Sequence, residues 1–312
     1  MEVGATRTVE IPSRRHGRYV IRSLVGHGGM AEVFLADAFP PRGDTFPVAL
    51  KLMRKGAPPE AFADEVDLMG LLDHPNLVRL LESGQAFGRS FIAMEFLSGG
   101  DLKRLMEAHE SLKRRIPVGM AAYACIEVLR GLAYFHQLRT RSGRPLELVH
   151  GDVNPSNIFF SGEADVKLGD FGVAKARGAD IGPQDGMAAG KLHYLSPEQT
   201  LGEPITPASD LFSLGVVLHE LVVGTHPFLR DETDEELVME AIRAAKVSLP
   251  DWVDRGLAQV IRKALAPDPD SRYRTAGEFA GELFTWLLDS GHSPSQQNAK
   301  AWLVQTLGHS GL

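Results

Sequence analysis

Short apolar runs bounded by glycine and proline fill the first hundred residues, and longer runs at helical spacing fill most of the rest. Tyr19-Val20-Ile21 and Leu24-Val25 lead through Gly26-His27-Gly28-Gly29 into Ala31 to Leu35, which predicts two strands around a glycine-rich turn. Val48 to Met53 predicts another strand, and Val78 to Gln85 with Ser90 to Phe96 predict a pair around a turn at Gly88. Pro59 to Leu72 spaces Phe62, Val66, Met69 and Leu72 as a helix does, behind a proline start. Val118 to Leu138, Glu235 to Ala245, Asp254 to Leu265 and Ala276 to Leu288 predict further helices, and Ile158-Phe159-Phe160 a short strand. Leu211 to Phe228 is the most apolar long segment, and His219 and Glu220 near its middle mark a buried helix, not a membrane span. Residues 1–18 lack periodicity and read as a flexible arm. A polar break, Ser290 to Gln297, precedes a last amphipathic piece around Ala301-Trp302-Leu303-Val304 that either docks or stands alone.

Composition narrows the setting. The 312 residues are 44% hydrophobic and 23% charged, ordinary for a globular chain with a sizeable core. A net charge of -7 argues against nucleic acid as the main partner. The single cysteine, Cys125, excludes an intrachain disulfide and thiolate zinc clusters, which fits a reducing cytoplasm. The polar, basic amino end lacks the apolar centre of a signal peptide, and no membrane partner is expected.

Chemistry concentrates in His150-Gly151-Asp152-Val153-Asn154-Pro155-Ser156-Asn157. Pro155 forbids a helix there, and Asp170 follows in Gly169-Asp170-Phe171-Gly172. Asp152, Asn157 and Asp170 together supply a proton acceptor and two oxygen ligands for a hard cation. Upstream, Gly26, His27, Gly28 and Gly29 let backbone N–H groups approach phosphate oxygens, or simply turn a hairpin. Lys51 stands inside an apolar strand, either snorkelling at an edge or aimed at an anion. Asp101 is placed to cap a helix.

In this order the motifs resemble the eukaryotic-type protein kinases, over roughly residues 19–288. His150 to Asn157 is similar to their catalytic loop, and Asp170-Phe171-Gly172 to their metal-binding motif. Val48-Ala49-Leu50-Lys51 is similar to V-A-I-K, and Ser196-Pro197-Glu198 to A-P-E. The Ser-Pro-Glu-Gln ending and Pro155 point to the bacterial serine/threonine branch. The resemblance implies an α+β, bilobal fold: a small five-stranded antiparallel lobe with one helix (19–97), a larger mainly helical lobe (98–288), and a tail (289–312). It implies ATP with Mg²⁺ or Mn²⁺, and a protein substrate phosphorylated on Ser/Thr, with the oligomeric state left open. Asp152 would accept the hydroxyl proton, Asn157 and Asp170 would hold the metal, and Lys51, steadied by Glu65, would hold the α- and β-phosphates. The glycine turn, Val33, Ala49, Phe159, the backbone of Glu95 and Leu97, and Asp101 at the ribose would bind the nucleotide, with Met94 at the back pocket. Arg272 would pair with Glu198, and Asp210 would tether the catalytic loop.

Four positions depart from the pattern. Ala31 replaces the third glycine of the turn. Asn154 stands where serine/threonine kinases carry a lysine, and Lys191 stands where they carry a threonine after the glycine near the A-P-E ending, so Lys191 is expected to supply the missing cation. Gly151 replaces the arginine that binds an activating phosphate, while residues 173–195 contain no Ser or Thr. Control by phosphorylation of that segment is therefore not expected. The alternative is a pseudokinase that binds ATP as a scaffold.

Overall fold

The computed structural model describes residues 10–13, 17–27, 30–56, 59–140, 142–172, 174–176, 189–229, 234–292 and 295–310. They form two compact units, one of residues up to 73 together with 78–97, the other of 74–77 and 98 onward.

The first unit is an antiparallel sheet with one helix. Its strands are β1 (Glu10–Pro12), β2 (Arg18–His27), β3 (Ala31–Phe39), β4 (Phe46–Met53), β5 (Leu80–Ala86) and β6 (Arg89–Glu95), and its helix is α1 (Pro59–Met69). The spatial order is β1-β2-β3-β4-β6-β5. The sheet thus has six strands where five were expected, because residues 10–12, within the stretch read as a flexible arm, pair with β2 from Glu10↔Val20 to Pro12↔Arg18. Ile11 is fully buried in the same core as Tyr19, Val48 and Leu50. Burying one isoleucine is worth about 1.5–3 kcal/mol. Ser13 and Tyr19 both donate to Glu82 Oε2 on β5, Tyr19 at 3.0 Å, which ties this end of the chain across the sheet.

Strand alternation sorts β4 into two faces. Val48, Leu50 and Leu52 are buried in the core, whereas Ala49 and Lys51 point to the other face. The register sets Val33 opposite Lys51, Leu35 opposite Ala49 and Met94 opposite Ala49, so these residues share that face. Gly26 pairs with Val33 at its end.

The second unit is mainly helical. It begins with β7 (Gly100–Asp101), α2 (Leu102–Ser111) and α3 (Val118–His136), then β8 (Leu148–Val149), β9 (Ile158–Phe160), β10 (Val166–Leu168) and β11 (Lys175–Ala176). The helices α4 (Pro197–Leu201), α5 (Pro207–Val223), α6 (Glu235–Ala244), α7 (Arg255–Ala264), α8 (Ala276–Asp289) and α9 (Gln296–Ser310) complete it. Helix α3 is long and apolar enough to cross a membrane by composition, but 67% of its most apolar stretch is buried inside the unit, as in a core helix. Cys125 lies on it, fully enclosed, and burial pushes its thiol well above the usual range, so it is an inert filler. Residues 139 and 145 bridge across the basic loop that joins α3 to β8.

Helix α9 docks on its own unit. The Trp302 ring stacks on His109 of α2 at 5.5 Å, and Thr306 Oγ1 lies 3.1 Å from His109 Nε2. Gln296 Nε2 donates to Asp165 at 2.6 Å, and Lys300 pairs with Glu163. The last amphipathic piece is therefore part of the large unit's surface.

Candidate active site

In the first unit, Lys51 Nζ lies 2.6 and 2.9 Å from the two carboxylate oxygens of Glu65. This pair fixes α1 to β4, and Glu65 is only 4% exposed. Val33, Ala49 and Met94 flank Lys51 through the register described above, leaving an apolar surface around an ammonium. Gly28 and Gly29 lie outside the described residues, as does the side chain of His27. Glu95 bonds to Arg79 through both its side chain and its backbone, the carboxylate accepting the Arg79 N–H at 2.8 Å. Leu97 is buried where this unit ends.

In the second unit the short sheet β10-β9-β7 carries the next residues. Asp101 pairs with Phe159 across β7 and β9. Asp101 also caps α2, its carboxylate accepting the Arg104 N–H at 3.0 Å. Burial raises its pKa, making it a weaker acid than usual, and the Arg104 bond only partly opposes this. A side chain on Gly99 would collide with Phe160, 2.8 Å from the place of its Cβ, so glycine is required where the chain enters this sheet.

The loop 150–157 hangs from one buried carboxylate. Asp210, on the first turn of α5, accepts the backbone N–H of His150 at 2.9 Å and that of Gly151 at 2.8 Å. His136 Nε2 lies 2.8 Å from the same carboxylate. Gln199 Nε2 donates to the Gly151 carbonyl at 2.9 Å. Between these anchors Gly151 takes φ +76°, a left-handed conformation that costs other residues about 1–2 kcal/mol. His150 is fully buried among Phe135 and Phe171, whose rings stack at 5.6 Å.

From this frame Asp152 projects with its carboxylate held twice. Asn157 Nδ2 donates to Asp152 Oδ2 at 2.9 Å, and Asn154 Nδ2 donates to Oδ1 at 2.7 Å. The β9–β10 hairpin then returns the chain, and Gly169 N–H bonds to the Asn157 carbonyl at 2.9 Å, so Asp170 sits one residue from Asn157's partner. Asp170 adopts φ +61°, a strained setting of the kind that recurs at functional sites. Because the Asn157 amide nitrogen is committed to Asp152, its oxygen is the end left to face a ligand. An amide oxygen with a carboxylate is a hard donor set, and these two residues fit Mg²⁺ or Mn²⁺.

Lys191 lies in the 3-10 helix Ala189–Tyr194, and its side chain is outside the described residues. Of the segment 173–195, residues 173 and 177–188 also lie outside them. Tyr194 at its end donates to Glu220 at 2.6 Å. Below it, Arg272 grips Glu198 through two bonds of 2.9 and 2.8 Å. Burial pushes the Glu198 carboxyl up, and the bonds and charge of Arg272, with the Ser209 hydroxyl, pull it further down. Residue patterns had not marked His136, and had marked Gln199 only as the close of the Ser-Pro-Glu-Gln ending; only the folded distances connect them to residues 150–151.

Comparison with known proteins agrees with this geometry. Residues 19–284 match the protein kinase domain. The tyrosine-protein kinase MasK of Myxococcus xanthus is 33% identical over 283 residues, covering 88% of this chain and 44% of that protein. The serine/threonine-protein kinase PrkC of Bacillus subtilis is 31% identical over 88% of this chain and 41% of its own length. PknB of Mycobacterium tuberculosis is 31% identical over 87% of this chain and 43% of its own. The chain thus spans under half the length of these curated relatives. With the sheet, the Lys51–Glu65 pair, the suspended loop and the Arg272–Glu198 pair in place, the chain belongs to the protein kinase family, alongside bacterial serine/threonine kinases.

Proposed function

We propose that this chain is an active protein kinase domain that moves the ATP γ-phosphoryl group to Ser or Thr hydroxyls of a protein substrate. The observation that carries the reading is the Asp152 carboxylate, presented on a loop anchored by Asp210 and held by two side-chain amides. The substrate oxygen attacks the γ-phosphorus, the bond to the ADP oxygen breaks, and the hydroxyl proton passes to Asp152. Lys51, held by Glu65, binds the α- and β-phosphates. Backbone groups of Gly26 to Gly29, Glu95 and Leu97 bind the nucleotide, with Val33, Ala49 and Phe159 against the base and Asp101 at the ribose. Asn157 and Asp170 would hold Mg²⁺ or Mn²⁺, which supplies positive charge for the β- and γ-phosphate oxygens.

Two finer features belong to this reading. Lys191 supplies the cation that Asn154 does not. A unit charge about 4 Å from a phosphate, at an effective dielectric near 20, is worth about 4 kcal/mol. If three quarters of that is specific to the transition state, Lys191→Ala slows turnover about a hundredfold with ATP affinity unchanged. Activity also does not depend on phosphorylation of residues 173–195, since they offer no Ser or Thr and Gly151 offers no guanidinium to receive a phosphate. The domain works in a reducing cytoplasm, which its one enclosed cysteine fits.

Transfer of radiolabel from ATP to a basic protein, with Asp152→Asn as control, tests the reading. Phosphoamino-acid analysis of the product separates Ser/Thr from Tyr, the residue for which the Myxococcus relative is named. Nucleotide binding without transfer by the wild type would favour the pseudokinase, to which the absence of a loop lysine points.

A further inference from the structure

Asn154 occupies a lysine position, and in the sequence it looks like a loss. Its contacts describe a gain. Both ends of the amide are used. Oδ1 accepts the Ser156 N–H at 3.0 Å, closing a turn ahead of the 3-10 helix Pro155–Asn157, a single turn where no helix was expected and which a proline can open because its missing N–H is not needed there. Nδ2 donates to Asp152 Oδ1 at 2.7 Å and to the Asp152 carbonyl at 3.1 Å. Asn157 does the same from the other side, reaching Oδ2 at 2.9 Å and the same carbonyl at 2.8 Å. Each carboxylate oxygen is therefore gripped by a different amide.

The terminal torsion of an aspartate is otherwise soft and broad. Two donors on opposite oxygens fix the plane of the carboxylate. Asn154 is 3% exposed and Asp152 7%, so the bonds form in a dry setting where they are strong. A carboxylate oxygen accepts up to two bonds, so gripping does not by itself block a hydroxyl. A lysine here would grip through charge. An amide grips through direction, and leaves the charge of Asp152 undiminished.

We infer that Asn154 is a positioning residue for Asp152, setting the orientation of the carboxylate before a substrate hydroxyl arrives. This rests on the reading of Asp152 as proton acceptor. The loop trades a cation for a second amide clamp, so alignment of the acceptor and neutralisation of the phosphate become the tasks of different side chains.

Steady-state kinetics on the whole chain test this, comparing wild type, Asp152→Asn, Asn154→Asp, Asn154→Ser and Asn154→Ala. Asn154→Asp keeps the oxygen that accepts the Ser156 N–H, so the turn survives, but it faces Asp152 with an acceptor. A displacement on the order of 1 Å costs about a hundredfold. The expected result is kcat lowered by about that factor in Asn154→Asp, with KM for ATP within about twofold. Asn154→Ser, whose hydroxyl still donates, should recover part of the loss. Wild-type kcat in Asn154→Asp and Asn154→Ala would overturn the inference. So would a fall in kcat that tracks a fall in Tm and is not relieved in Asn154→Ser. High-resolution crystal structures of the wild type and Asn154→Ala give a second readout, independent of turnover. The Asp152 carboxylate should rotate or spread over several orientations in the variant, and an unmoved carboxylate overturns the inference. A wild type that transfers no phosphate would sink the kinase reading, and the crystal comparison would still decide the role of Asn154.

Discussion

The two units each contain a buried ion pair, and the pairs are built differently. In the large unit Arg272 commits every N–H it has. Nε bonds the Ala266 carbonyl at 2.7 Å, Nη1 and Nη2 take the two oxygens of Glu198, and the Ala208 and Pro267 carbonyls complete the set at 3.0 and 2.9 Å. Its side chain has no exposed surface. In the small unit Lys51 is 15% exposed, and its ammonium rests on Glu65 at the end of a flexible stem. A planar fork with five committed donors cannot change partners, whereas a compact ammonium can. The first pair is a fastener. In the proposed function the second holds a charge in position for use, and the five fixed donors of Arg272, not burial alone, set the first apart.

The widest test of this contrast is Arg272→Met. It leaves Glu198 buried and unpaired, and should cost about 3–5 kcal/mol in urea unfolding. A loss under about 1 kcal/mol would erase the distinction. Lys51→Met should act mainly on catalysis, lowering turnover about a thousandfold, equivalent to about 4 kcal/mol in the barrier, while stranding Glu65 at this more exposed pair costs less in unfolding than Arg272→Met does. A variant that unfolds as readily as Arg272→Met would make Lys51 a fastener too. Gly151→Ala probes a third kind of anchor, a backbone one. Forcing an alanine to φ +76° should cost about 1–2 kcal/mol, read as a lower Tm, because the Asp210 bonds hold that conformation.

Acid gives the finest distinction. The folded Glu198 carboxyl titrates below its ordinary 4.5, so its contribution is fully present above that pH and fades as pH falls through the folded value. In Arg272→Met the bonds and charge of the guanidinium are lost, burial is opposed mainly by the Ser209 hydroxyl, and the carboxyl moves up instead. The stability gap between wild type and variant should therefore narrow as pH falls from the variant's raised value, above 4.5, down through the wild type's lowered one, by at most about 1.4 kcal/mol per unit for one proton. A gap that stays constant down to pH 3 would mean that the pair contributes no electrostatic stability.

Much of this was legible because motifs are local. Lys51, Asp152, Asn157 and Asp170 each stand in a short run of residues that resembles a motif of one family. The boundaries of α1, α3 and α8 followed from helical periodicity within a few residues. What escaped notice depends on distance in space. Three residues, Glu10-Ile11-Pro12, are too short for any period, and only pairing with β2 makes them a strand. Whether α9 docks depended on a receptor, His109, almost two hundred residues away. Gly151 read as a missing arginine, since the positive φ that Asp210 holds there is set by a helix beginning more than fifty residues later. Asn154 read as a missing lysine because its bond to Asp152 spans two residues and exists only in the bent backbone of the loop.

The seat of Trp302 also turns the last helix into its own optical label. Of the three tryptophans, Trp252 is 46% exposed beneath Arg115, while Trp286 and Trp302 are 9% and 7% exposed. Trp286 is pinned to Asp254 on the body of the large unit, so its emission reports that body. Trp302 faces an imidazole, an efficient quencher when protonated, and burial of His109, with Arg114 nearby, holds that imidazole neutral to lower pH than usual. Detachment of α9 would release a wet, red-shifted signal from Trp302 alone, separating the peeling of one helix from the melting of the unit beneath it.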